Sequence, residues 1–148
     1  MAKRVLGLDA KLYRNTGDYA SPVWVELTNC KNVSRKLEKG ESDVTTRGNN
    51  GWTATAGTLK SLEVSFEMVY DPEDANYTAI ESAFFDNEVI EVAIMDGDIA
   101  VDGTRGVRCS VEVFNFEQKE DLTEAIMVDV TLKPTYAANA PERMTISI

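Results

Sequence analysis

Ser61-Leu62-Glu63-Val64-Ser65-Phe66-Glu67-Met68-Val69-Tyr70 decides the fold, because Leu62, Val64, Phe66, Met68 and Tyr70 alternate with Glu63, Ser65 and Glu67. Successive side chains of an extended chain point to opposite faces, so this is a strand with one face buried and one wet. Residues 125 to 133 repeat the pattern: Ile126, Val128, Val130 and Leu132 oppose Met127, Asp129, Thr131 and Lys133. Pro134 closes that segment, since proline cannot continue a central ladder. Two more strands are predicted at residues 89 to 95, from Ile90, Val92 and Ile94, and at 107 to 116, from Cys109, Val111 and Val113. In the second, the apolar phase slips by one residue to Phe114 and Phe116. Such a slip signals a β-bulge, an outer face that gains cover, or simply an exposed Phe114.

Between these two strands, residues 96 to 106 have the glycine and aspartate density of a hairpin tip. Their spacing misses a calcium loop, and Ile99 and Val101 stand where ligands would be needed. One helix is predicted over residues 74 to 86, with Tyr77, Ile80 and Phe84 as its core stripe. Asp74 or Asn76 can cap its start, Thr78 and Glu81 form a competing capping box, and Asn87 can stop it. Upstream, short strands fit residues 10 to 14 and 23 to 27, with a turn at 15 to 18. Residues 32 to 39 alternate weakly, so a strand there is largely exposed to water.

Residues 40 to 60 read as a long loop around Arg47-Gly48-Asn49-Asn50-Gly51, rich in threonine and poor in residues that could bury themselves. Ordering it against a neighbouring molecule removes the difficulty; a mobile loop with a half-buried Trp52 is the alternative. The N-terminal arm 1–8 and the C-terminal extension 134–148 carry apolar residues with little periodicity, as ends that fray or lie across another subunit do. The whole is predicted as one domain over 1–148: mainly β, an antiparallel β-sandwich or barrel with one flanking α-helix and a long loop or hairpin.

Composition weighs against chemistry. The 148 residues carry 15 basic and 25 acidic side chains, a formal charge of -10, which repels rather than wraps nucleic acid. There is no histidine, and no phosphate loop, dinucleotide fingerprint, serine elbow or metal-binding cysteine pair. Glu63 and Glu67 lie on one strand face about 13 Å apart, not opposed across a cleft as a glycosidase requires. Glu117, Glu120, Asp121 and Glu124 read as a charged connection. Cys30 and Cys109 are read as free thiols, although two cysteines leave a disulfide open, and the start of the chain suggests no signal peptide or membrane span. Arg35, Lys36 and Lys39 form a basic cluster suited to an acidic neighbour, including another copy of this chain. No catalytic residue, cofactor or metal site is expected, and synthesis in a reducing cytosol is.

Taken in order, Asn32-Val33-Ser34-Arg35-Lys36-Leu37, the acidic and threonine-rich loop, Gly51-Trp52-Thr53-Ala54-Thr55, the strand at 61 to 70, Ala83-Phe84-Phe85-Asp86-Asn87 and Val128-Asp129-Val130-Thr131-Leu132-Lys133-Pro134-Thr135 resemble the major tail tube protein of long-tailed, non-contractile phages. The likeness spans about residues 8 to 136 and lies in the order of segments, not in any single motif. It implies a structural subunit whose hexameric rings stack into a hollow tube for DNA passage without specific binding. It also implies tape-measure, tail-tip and terminator proteins as partners, no membrane, and a place in the virion tail after assembly in the host cytoplasm. Inner-barrel strands are then expected within residues 32 to 46 and 52 to 70. Arg35, Lys36, Lys39, Arg47, Asn49, Asn50 and Trp52 become candidates for inter-subunit or ring-stacking contacts. Glu38, Glu41, Asp43, Glu63 and Glu67 become candidates for the lumen lining. A phage-derived particle or secretion system shares these features, and a soluble β-sandwich that binds carbohydrate is the alternative of a different class; its aromatic platform would have to come from Trp24 and Trp52.

Overall fold

The computed structural model describes residues 6–137 and 139–147. Eight strands and one helix follow in the order β1 (Lys11–Asn15), β2 (Trp24–Glu26), β3 (Cys30–Asp43), β4 (Thr55–Val69), α1 (Ala75–Phe85), β5 (Ile90–Met95), β6 (Arg105–Lys119), β7 (Met127–Pro134) and β8 (Glu142–Thr145). All pairings are antiparallel, in the spatial order β2-β1-β5-β6-β7-β4-β3, with β8 added to β6.

Strand β6 belongs to both halves of this path. Its first half, from Gly106 to Val111, pairs with β5; its second half, from Val111 to Lys119, pairs with β7. The register shifts between Val113 and Asn115, at the place where the apolar phase slips in the sequence, so the slip is a β-bulge. Leu12 and Val92 from one half share a buried cluster with Val64, Phe66 and Val130 from the other. The halves therefore face each other as a sandwich of one open sheet, not a closed barrel.

Helix α1 lies against β6 and fills one end of that core. Of the possible caps Asp74 is the one used: its carboxylate accepts the Tyr77 N–H at 3.2 Å, while Thr78 donates its hydroxyl to the Asp74 carbonyl. Asn76 is buried instead, donating to the Glu26 carbonyl and accepting from the Arg14 guanidinium. Asn87 takes a left-handed conformation (φ 54°) and the Glu88 N–H reaches the Ala83 carbonyl, which ends the helix. Tyr77 and Ile80 are core as expected, but Phe84 is not: Ala83 takes the buried position, and Phe84 stacks on Phe116 with its outer side in water.

Two sequence readings need correction. Only the middle of the 40–60 loop is a connection: β3 and β4 stay paired through Lys39–Lys60 to Asp43–Thr55, leaving residues 44–54 between them. The C-terminal stretch is not without a home: β8 pairs with Arg105–Arg108, and Met144 and Ile146 pack against Tyr13, Ala93 and Met95 in a second small core. That core shares a wall with Arg108, which pairs with Glu91 and lies 3.9 Å from the Tyr19 ring and 5.2 Å from the Trp24 ring. Residues 1–5 of the expected N-terminal arm, and residues 138 and 148 of the C-terminal extension, lie outside the described residues.

Candidate functional site

The polar face of β3, β4, β7 and the second half of β6 is the largest feature that packing does not explain. Directly paired residues share a face, so the register defines rungs across these strands. One rung carries only hydroxyl and amide groups: Ser34, Ser65, Thr131 and Asn115. The next places Glu67, Asp129 and Glu117 side by side, with Lys31 at its end. Like charges in direct cross-strand register cost stability. The cost is offset in part by Lys119, whose ammonium lies 2.6 Å from Asp129 and has its pKa raised by that hydrogen bond, and by Asn32, which donates to Glu67 at 3.2 Å. Further up, Lys36 stands opposite Glu63 and pairs with Glu38 at 2.9 Å.

Both edges of this four-strand unit are open. Among the described residues β3 pairs only with β4, so the outer edge of its 14 residues presents free N–H and C=O groups. The β5 ladder ends at Val111, which leaves the far edge of Glu112–Lys119 equally unpaired.

Above the core, β3 and β4 continue as a two-stranded ribbon. Two residues of β4, Thr58 and Leu59, oppose Gly40 alone, and a Cβ at Gly40 would collide with the Thr58 hydroxyl. Glycine is what lets the strands close at this bulge. The ribbon tip holds a short 3-10 turn, Arg47–Asn49, followed by Asn50 in the left-handed region (φ 54°). Asp43 accepts the Thr45 N–H at 2.9 Å, and hydrogen bonds from the Thr45 hydroxyl and N–H hold its carboxyl below the usual range.

The candidate contact residues fall into two groups. Arg47, Asn49, Asn50 and Trp52 come together at the tip, and Trp52 is 75% exposed, not half-buried. Arg35, Lys36 and Lys39 do not form one cluster, because strand alternation puts Lys36 on the face opposite Arg35 and Lys39. The lining candidates also divide: Glu38 joins Glu63 and Glu67 on the polar face, whereas alternation along β3 turns Glu41 and Asp43 to the other side. Sequence reading missed the unpaired edge of β6, for which the slip at Phe114 was the available signal.

Among the described residues no three carboxylates or cysteines are grouped to hold a metal, and no helix is long and apolar enough to cross a membrane. Both cysteines are free, and burial pushes the Cys30 thiol up to about 11 and the Cys109 thiol up to about 12, so neither is poised for thiolate chemistry. Fold and surface define an open antiparallel β protein with a polar face and an unpaired strand at each side of it. Residues 11–135 match the family described as phage tail tube protein, and the chain belongs to that family. It is a component of the virion tail.

Solved structures agree on the fold. The chain is similar to one in the tail of an empty gene transfer agent particle with C6 symmetry, at 18% identity over 92% of this chain and 96% of that one (TM-score 0.69). It is also similar to the SPP1 tail tube, at 13% identity over 98% and 81% (TM-score 0.73). A chain of the 6-fold symmetrised anti-feeding prophage baseplate gives 10% identity with full coverage of both (TM-score 0.62). No curated protein matches.

Proposed function

We propose that this chain forms hexameric rings that stack into the tube of a phage tail, and that β3, β4, β7 and the second half of β6 line its channel. The observation that carries the reading is that one sheet combines a polar face with an unpaired strand at each side. Joining β3 of one copy to β6 of the next satisfies both edges and continues the sheet around a ring. The C6 symmetry of the similar gene transfer agent tail supports the copy number.

A lining of this composition suits passage of DNA. The Glu67–Asp129–Glu117 rung, repeated in each copy, becomes a belt of carboxylates that repels phosphate, and the hydroxyl rung beside it offers no fixed charge. The genome slides through without specific binding. The ribbon tip, with Arg47, Asn49, Asn50 and Trp52, meets the adjacent ring, which gives the exposed tryptophan a burial site. Tape-measure, tail-tip and terminator proteins complete the tail, which is assembled in the host cytoplasm.

Negative-stain electron microscopy of the purified chain over a concentration series tests this. Rings or tubes with a central channel and six-fold averages are expected. A chain that stays monomeric at every concentration, or forms filaments without a channel, overturns it.

A further inference from the structure

Two apolar surfaces at the opposite edges of the lining sheet are incomplete in the single chain. At the β3 edge, Val33, Arg35 and Leu37 sit on the inward side of the sandwich yet are poorly covered, and Leu37 is 63% exposed. They form one wall of a groove of about 1050 Å³, whose opposite wall comes from β5, β6 and β8. Arg35, Arg105 and Arg143 converge there, with Asp96 the one acid among the lining residues. In a chain of net charge -10 this is a basic pocket against the trend.

At the β6 edge Phe114 is the extra residue of the bulge, two positions from the inward-facing Phe116. Helix α1 brings Phe84 onto Phe116, ring centroids 6.2 Å apart, and Phe85 edge-on to Phe84 at 5.4 Å. Phe114 is 54% and Phe85 71% exposed. Asp86 and Glu88 follow directly, at the negative end of the helix dipole.

We infer that these surfaces are mates: the Phe84–Phe85–Phe114 edge of one copy seats in the arginine-lined groove of the next. The inference rests on the ring reading and gives it a second, side-chain joint. Three antiparallel steps separate β3 from β6, so a copy rotated about a common axis presents β6 antiparallel to β3. Paired strands share faces, which brings Val33 and Leu37 beside Phe114 and Phe116 of the neighbour. Aromatic rings then cover the bare aliphatic wall, and the guanidinium groups meet ring faces and the Asp86–Glu88 end of the helix.

Phe85→Asp and Phe114→Asp test it, because both side chains are exposed in the monomer and the variants keep its thermal melt. Each is expected to raise the concentration needed for rings or tubes by at least about tenfold, which corresponds to about 1.4 kcal/mol per joint. Independently, Leu37→Cys copies mixed with Phe114→Cys copies should form oxidised dimers within assemblies, whereas a Leu59→Cys partner should not. Wild-type tubes, unimpaired variants and no cross-link overturn the inference and leave the tube reading standing. A wild type that never assembles overturns the tube reading itself. If a variant fails to fold, the cross-link decides.

Discussion

Strand β4 is two strands in physical terms. From Leu62 to Val69 its alternate residues are sealed in the core against β7 and α1; from Thr55 to Ser61 it has β3 as its only partner, and Leu59 is 85% exposed. The backbone ladder to β3 runs through both. Hydrogen bonds alone thus hold a ribbon in shape, while the apolar face beneath supplies the free energy of folding; an isolated two-stranded ribbon is marginal in water. The packed half is stable on its own terms, whereas the projecting half has only its β3 ladder to hold it.

The sharpest way to break this comparison is Phe66→Ala, which leaves a cavity in the packed half and should cost about 3–5 kcal/mol in denaturant unfolding. A much smaller loss would mean that the core is not where the stability lies. Alkaline titration comes next. Burial first, and then the hydrogen bond to Glu81, push the Tyr77 phenol up to about 12, above its ordinary value of 10.0. The folded state therefore holds this proton more tightly than the unfolded chain does. Its contribution is intact below pH 10 and lost between pH 10 and about 12, and Tyr77→Phe should flatten that part of a stability profile. Removing the helix cap with Asp74→Ala should cost about 1 kcal/mol, read from the same denaturant curves. Gly40→Val should leave the melt almost unchanged but speed amide exchange from Glu41 to Gly57, because the new side chain collides with Thr58. Leu59→Ala, on the same strand as Phe66, should shift monomer stability by no more than about 0.5 kcal/mol.

What was legible in the sequence follows the same division. Strands with a buried face announced themselves through period two, as in Leu62 to Tyr70 and Ile126 to Leu132, and even the bulge of β6 showed as the slip from Val113 to Phe114. The projecting ribbon buries nothing, so Thr55 to Lys60 left no pattern, and only resemblance to a family pointed to strands there. Strand β8 is four residues long and rests on Met144 alone, too short for any period to register. Phe84 departs from the core because helical spacing cannot tell a sealed position from one at the rim of the core. Of the candidate site, strand parity foresaw that Glu63 and Glu67 would share a face; it could also have separated Glu41 and Asp43 from Glu38, and the separation is plain once β3 is seen to run unbroken to Asp43.

The two open edges are unlike one another: one belongs to β3, which ends in the ribbon, and the other to the second half of β6. A joint between unlike edges cannot be made by a two-fold flip, so it forces every copy into the same orientation. In the ring proposed above all ribbon tips then point one way, and the two faces of the ring are chemically different. The polarity of such a ring is written into the choice of which strands were left unpaired.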